Sequence, residues 1–281
     1  MINVRFPRSN LHTHTNFCDG KNTPEEMVLA AIRSKMSLLG FSAHSPLPYA
    51  QDYAIREEDL PLYRQEILRL KEKYRGQIDV LLGIEQDFDS KTSTEGYDYV
   101  IGSVHSLVID GEYHEIDESR ETLCKTVREH FYGDIYLYLR AYYEKVSQVV
   151  EKTGCDVVAH FDLVTKFNGD GTLFDENDPR HLRYAIDALD VLLKKDVVFE
   201  INTGAISRGY RRIPYPAPHL LRRIAEKGGR VMINSDAHSA ENLLCKFDEA
   251  IMIARAVGFG SIMEMTANGW RRFNFDRIFA K

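Results

Sequence analysis

The stretch Ser9-Asn10-Leu11-His12-Thr13-His14 decides how the rest of the chain is read. As a strand it sends His12 and His14 to one face, because side-chain direction repeats every two residues. Two imidazoles side by side make a poor core pair and a good start to a metal site. Asp19, a short loop later, offers a carboxylate. A lone His-x-His is more often a surface or hydrogen-bonded pair, so the reading depends on donors elsewhere in the chain.

Working outward, Thr23 is a good N-cap, Pro24 suits the first helical position and Glu26 completes a capping box, predicting a helix over about 24–36. The apolar run 38–43 follows as a buried strand ending at His44. A helix over 58–74 precedes a strand over 78–84 that delivers Glu85, and a strand over 97–104 delivers His105. Only 20 residues separate Glu85 from His105, too few for a comfortable crossover helix, so that unit is expected to be irregular. Helical periodicity covers 119–152 with a break near Gly133; a strand over 156–159 then delivers His160. Asp178-Pro179 opens a helix to about 195, and a strand over 197–201 ends at Asn202-Thr203-Gly204. A short helix over 218–226 leads to a strand over 230–233, with Asp236 and His238 directly after it. A helix over 243–257, a strand over 261–265 and a polar, aromatic tail complete the chain.

Seven strand-then-helix units with apolar strands predict an α/β fold, a parallel sheet with helices outside, most simply closed as a barrel. Barrel sites collect at the carboxyl ends of strands, whereas an open doubly wound sheet concentrates a site at one switch point. Six of the seven predicted strand ends carry a potential ligand, which favours closure. One domain over 1–281 is expected, with 258–281 as an extension packed on it.

Composition narrows the function. The net charge of −6, from 36 basic and 42 acidic residues, argues against a dedicated nucleic-acid surface. No apolar run approaches the length of a membrane span. Residues 1–20 lack the apolar segment of a secretion signal, so a cytoplasmic location is expected. Cys18, Cys124, Cys155 and Cys245 show no close pair spacing and are expected as reduced thiols. The candidate donors are His12, His14, Asp19, His44, Glu85, His105, His160, Asp236 and His238. One divalent ion takes about four to six donors, so nine suit two or three ions sharing carboxylates. Any one of these histidines could merely bond a backbone carbonyl; their placement at strand ends argues otherwise. His130, His181 and His219 fall in or beside helices and are read as surface or structural residues, while His114 is an undecided loop residue.

His12-Thr-His14 with Asp19, Ser42-Ala-His44-Ser, Gly83-Ile-Glu85, Ile101-Gly-Ser-Val-His105, Val158-Ala-His160 and Asn234-Ser-Asp236-Ala-His238 resemble, in order, the motifs of the polymerase and histidinol phosphatase (PHP) superfamily. The Gly-Ser-Val-His element and Glu200-Ile-Asn-Thr-Gly204 look closest to its histidinol-phosphate phosphatase branch. The resemblance implies a distorted, TIM-like (β/α)7 barrel with three divalent ions, zinc, manganese or iron. It implies one ion on His12, His14, Glu85 and Asp236, a second on Glu85, His105 and His160, and a third on Asp19, His44 and His238, with Glu85 bridging the first two. The implied activity is hydrolysis of L-histidinol phosphate, a step of histidine biosynthesis, by in-line attack of a metal-bridging hydroxide, with Glu85, Asp236 and Asp19 as the catalytic carboxylates. The chemistry agrees: a water shared by two cations loses much of its proton affinity, and the cations neutralise phosphate oxygens.

A phosphate monoester also wants a positioned guanidinium, for which Arg208 is the first choice and Arg211 the second. The substrate's ammonium should meet a carboxylate, and the 108–118 loop offers Glu112, Glu115 and Asp117, with Tyr113 among them. Within the same superfamily, a phosphoesterase or exonuclease acting on nucleotides or nucleic-acid ends is the alternative. A non-catalytic scaffold is opposed by the complete donor set. The expected partner is a small phosphate monoester, with no nucleic acid and no membrane; the oligomeric state is open.

Overall fold

Seven parallel strands form the central sheet of the computed structural model, which describes residues 8–50 and 52–276. The first four are β1 (Ser9–Asn10), β2 (Leu38–His44), β3 (Asp79–Asp87) and β4 (Tyr99–Ser103), each paired with the next. A small antiparallel hairpin, β5 (Ser106–Ile109) and β6 (Glu112–Glu115), interrupts the series where the sequence suggested only a loop. The sheet resumes with β7 (Val157–Val158), β8 (Val198–Asn202) and β9 (Arg230–Asn234). The two ends of the sheet meet at a parallel bridge between Thr13 and Ala237, where His14 N donates to Ala237 O at 2.9 Å and Ala237 N to His12 O at 3.2 Å. The result is a nearly closed barrel of the distorted TIM-like kind.

The expected strand over 9–14 is regular only at Ser9–Asn10. Side-chain amides replace ladder partners at the seam. Leu11 N donates to Asn234 Oδ1 at 2.9 Å, and His12 N to Asn10 Oδ1 at 3.1 Å. Pairing resumes beyond them, with Ser42 N donating to Thr13 O at 3.0 Å, so His12 and His14 still flank a strand-like Thr13.

Around the barrel lie α1 (Pro24–Arg33), α2 (Leu60–Lys73), α3 (Arg120–His130), α4 (Ile135–Val146), α5 (Val149–Thr153), α6 (Pro179–Leu192), the single turn α7 (Gly204–Ser207), α8 (Pro218–Glu226) and α9 (Phe247–Ala256). The capping box forms as expected: Glu26 N donates to Thr23 Oγ1 and Thr23 N to Glu26 Oε2. The predicted helix over 119–152 breaks twice, first at Gly133 (φ +76°), after which Asp134 caps α4 through Tyr136 N, and again at Ser147–Gln148. The helix predicted from 243 begins only at Phe247, because 240–242 is a 3-10 turn and Lys246 sits in the left-handed region at φ +58°. The irregular unit expected between Glu85 and His105 contains no helix.

Inside the barrel, Leu11, Leu81, Ile101, Val198 and Met232 are buried around Tyr99. The Tyr99 ring lies flat against Gly83, where an added Cβ would come within 2.2 Å of it, so only glycine fits that strand position. Its hydroxyl reaches Leu11 O at 2.5 Å and Phe41 O at 3.0 Å, tying β4 to β2 and to the segment that follows β1. An antiparallel hairpin, β10 (Ser261–Thr266) and β11 (Gly269–Asn274), adds Met263, Met265 and Trp270 to this core. The strand expected over 261–265 is thus half of a hairpin whose other half is the expected polar tail. Residues 1–7, part of the segment read for a secretion signal, and 277–281, the end of the expected extension, lie outside the described residues. No helix among the described residues is long and apolar enough to cross a membrane.

Candidate metal centre

Parallel strands bring their carboxyl ends to one rim, and the register there is tight. His44 at the end of β2 pairs with Glu85 on β3. His105 follows β4 by two residues, His160 follows β7 by two, and Asp236 and His238 follow β9. His12 and His14 flank the bridging Thr13, and Asp19 sits on the turn after them.

All nine predicted donors converge. Glu85 is at the centre: its Oε2 lies 3.2 Å from His12 Nε2, 3.6 Å from His14 Nε2 and 2.8 Å from His44 Nδ1, while its Oε1 lies 3.4 Å from His105 Nε2 and 3.1 Å from His160 Nε2. Asp236 Oδ1 is 3.2 Å from His14 Nε2 and 3.6 Å from His12 Nε2. Asp19 Oδ2 is 3.0 Å from His238 Nε2, and its Oδ1 is 3.7 Å from His44 Nε2. His12 Nε2, His14 Nε2 and Glu85 Oε2 are buried without a hydrogen bond. Buried polar atoms left this way are costly, and facing imidazole nitrogens and carboxylate oxygens are what a divalent ion satisfies. The donor set therefore fits metal ions. His14-Asp19-His44-His238, His12-His14-Asp236, His12-Glu85-His160 and His44-Glu85-His105 each have donor atoms within 4.8 Å of one another.

The electrostatics match. Burial opposes the charge of Glu85, but His44, His12 and His105 hold its carboxyl well below the usual range. Burial likewise opposes Asp236, which Arg208 and His12 keep ionised. His14 is pushed down to about 3 by burial and by His238 and His44 beside it, leaving its ring neutral. Against their burial, His12 is lifted well above its ordinary value by Glu200, Glu85 and Asp236, and His105 to about 10 by Glu85 and Asp87. Without cations in place, these rings hold protons that bound metal would displace. The Cys18 thiol, 3.5 Å from His14 Nδ1, is pushed up to about 12 by burial and by Asp19, so it stays protonated.

Arg208, at the end of α7, enters the same cavity. Its Nη2 donates to Asp236 Oδ2 at 2.9 Å and its Nη1 to Asp236 O at 3.1 Å, with His238 Nδ1 at 3.0 Å. A Cβ on Gly204 would lie 2.8 Å from Asp236 Oδ2 and 2.9 Å from Arg208 Nη2, so the glycine lets α7 close on the pair. Asp236 itself adopts φ +50°, a left-handed conformation that Asp tolerates better than most residues. Arg211 is placed elsewhere. It is buried, paired with Glu176 at 2.6 and 3.0 Å and donating to Thr165 O at 2.8 Å, and it lines a different surface recess.

The cavity, about 290 Å³, is walled by ligands and Arg208 and by an acidic rim of Asp52, Glu115, Asp117 and Glu118. Asp117 already pairs with Lys166 at 3.0 Å. Of the other loop candidates, Tyr113 stacks on Tyr49 and Glu112 is exposed at the hairpin tip, and neither lines this cavity. His114 meets His130 edge to face at 4.4 Å, on the hairpin's other side chains, and His181 bonds the Tyr143 hydroxyl at 3.0 Å and Glu176 O at 2.9 Å.

Two buried carboxylates escaped the sequence reading. Glu200 Oε2 accepts from His12 Nδ1 at 2.7 Å and from Asn234 Nδ2 at 2.8 Å, and its Oε1 from Asn202 Nδ2 at 2.6 Å and His160 N at 3.1 Å. Asp87 Oδ2 accepts from His105 N at 3.0 Å and from His105 Nδ1 at 3.1 Å. Alternation along β3 was the available signal for Asp87, two residues after Glu85. Glu200 stood in a quoted motif, but nothing local tied it to His12.

Comparison with known proteins gives the following likenesses. The PHP domain family matches residues 10–204. A probable histidinol-phosphatase of Deinococcus radiodurans is 33% identical over 261 residues, 88% of this chain and 92% of the relative. The histidinol-phosphatase of Bacillus subtilis is 27% identical, over 82% of this chain and 92% of its own length. Among solved structures, histidinol phosphate phosphatase from Lactococcus lactis, complexed with zinc, L-histidinol and phosphate, is similar with a TM-score of 0.70 at 20% identity, over 95% of this chain and all of that one.

Proposed function

This chain belongs to the PHP domain family, and we propose that it is a metal-dependent phosphoric monoester hydrolase converting L-histidinol phosphate to L-histidinol and phosphate. The observation that carries the reading is the convergence of six imidazoles and three carboxylates on one cavity, with bare ring nitrogens facing a bare carboxylate oxygen. We assign three ions: His12, His14, Glu85 and Asp236 hold one, Glu85, His105 and His160 a second, and Asp19, His44 and His238 a third. Zinc, manganese and iron all suit these mixed nitrogen and oxygen donors. When bound, such ions supply an acidified water as nucleophile and positive charge for the phosphate oxygens.

The chain's own groups do the rest. Glu85 turns one oxygen to His12, His14 and His44 and the other to His105 and His160, which supports its role as the shared ligand. Asp236 and Asp19 supply the remaining negative charge that retains cations. The Arg208 guanidinium has five N–H donors, and those not spent on Asp236 and His238 suit a phosphate oxygen. Glu115, not committed to a lysine as Asp117 is, faces the cavity as the counter-charge for the substrate's ammonium. The acidic rim repels a polyanion and attracts an amino alcohol, which favours this substrate over the alternative of nucleotides or nucleic-acid ends. The Cys18 thiol, pushed up by burial and by Asp19, offers no thiolate nucleophile, which supports direct transfer to water. We place the enzyme in the cytoplasm, where its four unpaired thiols would stay reduced.

The test is phosphate release from L-histidinol phosphate, nucleoside monophosphates and a single-stranded oligonucleotide, on protein whose metals have been counted. Turnover of histidinol phosphate with inversion at a chiral phosphorus is expected. Activity confined to the oligonucleotide, or retention of configuration, overturns the reading.

A further inference from the structure

Glu200 on β8 and Asp87 on β3 are buried carboxylates that stand behind the nine donors rather than among them. Each grips the Nδ1 of one imidazole whose Nε2 faces Glu85. His12 spans Glu200 and Glu85 at 2.7 and 3.2 Å, and His105 spans Asp87 and Glu85 at 3.1 and 3.4 Å. A carboxylate accepts only, so each Nδ1 keeps its proton on Glu200 or Asp87, and an ion between the ring and Glu85 would take the Nε2 lone pair in place of the proton there. Elsewhere the Nδ1 atoms meet other groups: that of His14 has the Cys18 sulfur at 3.5 Å and Asp19 at 3.8 Å, that of His44 turns to Glu85 itself, and that of His238 meets the Asp236 backbone O at 3.0 Å.

We propose that Glu200 and Asp87 are positioning residues that fix His12 and His105 as Nε2 donors on either side of Glu85. The proposal rests on the reading of this cluster as a metal centre and goes beyond it, by singling out two imidazoles that are held through Nδ1 by buried carboxylates outside the donor set. Glu200 does more than orient one ring. Through Oε1 it also accepts from the backbone N of His160, so a single side chain sets the positions of donors from two separated strand ends. Four donors point at it, two on each oxygen, and a Gln amide there would set its own N–H groups against one pair. Asp87 Oδ2 likewise takes both the backbone N and the ring of His105, while its Oδ1 accepts from Asp89 N.

The experiment uses Glu200→Gln and Asp87→Asn beside the wild-type protein, with His12→Ala as the variant that loses a donor outright. Zinc retention is measured by competition with a chromophoric chelator, ring tautomers by nitrogen-15 histidine spectra of the zinc-loaded protein, and folding by the melting midpoint of the chelator-stripped form. Each carboxamide variant is expected to hold zinc roughly 10- to 100-fold less tightly. One histidine spectrum in each variant should shift away from the Nδ1-protonated form, with the stripped melting midpoint lowered by only a few degrees. Wild-type zinc affinity and unchanged tautomers in either folded variant overturn the proposal. Should Glu200→Gln fail to fold, Asp87→Asn decides on the same readouts. A wild-type protein that binds no divalent ion sinks the metal reading itself, an outcome separate from equal affinity in wild type and variants.

Discussion

The floor of the cavity and its mouth use the same residue types but are held differently. On the floor, His12, Glu85 and His160 come from strand ends and are 0–4% exposed. Their far sides meet fixed partners such as Glu200, and their near sides face one another. At the mouth, Asp19 comes from a turn with its side chain 30% exposed, and His238 from the segment after β9 with 21% exposed. Water reaches the mouth donors and screens their charges, whereas the floor donors have no alternative partner. Strands therefore supply the permanent part of the centre, while loops supply the part that meets solvent and substrate. The acidic rim, carried partly by the β5–β6 hairpin, continues the mouth outward.

That contrast can be broken by substitution. Glu85→Ala removes the group that faces five imidazoles. It is expected to lower kcat/KM by on the order of 10⁴-fold or more and to empty most of the centre, as read by elemental analysis. Asp19→Ala at the mouth should instead cost about one ion and on the order of 10²-fold in kcat/KM. Equal metal loss in the two variants would erase the distinction between floor and mouth.

A smaller effect belongs to the rim. Burial, then Asp117, Glu118 and Asp52, push Glu115 up to about 7, with His105 pulling the other way. Its neutral form is the one the fold favours. Any stability it contributes is complete below the ordinary carboxyl value near 4.5 and is lost as pH rises through about 7. Pairing with an ammonium needs the opposite, ionised form. The kcat/KM ratio of histidinol phosphate over phenyl phosphate should therefore rise several-fold between pH 6 and 8, roughly in step with ionisation of the carboxyl. Glu115→Gln should flatten that rise; an unchanged profile would remove Glu115 from substrate binding. The smallest effect is expected at His130, whose ring contacts His114 away from the cavity. His130→Ala should leave metal content unchanged and kcat/KM within about twofold, as surface substitutions usually do.

Much of this was legible because short-range rules carried it. A two-residue repeat put His12 and His14 on one face, apolar runs ending in a donor marked strand ends, and Thr23 to Glu26 announced α1. The rest depended on partners far away in the chain. Arg208 and Arg211 are three residues apart and alike in composition, yet one turns to Asp236 and the other is consumed by Glu176. The 108–118 segment read as a loop because its alternation is short and polar; pairing Val108 with Tyr113 and Leu107 with His114 made it a hairpin. Glu200 was visible as a letter in a motif but silent as to role.

By itself the sequence determined the candidate donors, the order of the seven barrel strands and the α/β class, since each follows from neighbours within a few residues. Only the tertiary structure decided how the barrel closes, which arginine faces the cavity and which carboxylates stand behind the histidines. Asn10 and Asn234 finish the seam with side chains instead of ladder bonds. His12 and Glu200 are 188 residues apart and meet at 2.7 Å. The physical reason is closure itself: bending a parallel sheet until its first and last strands touch converts distant positions into neighbours, and local patterning carries no record of that contact.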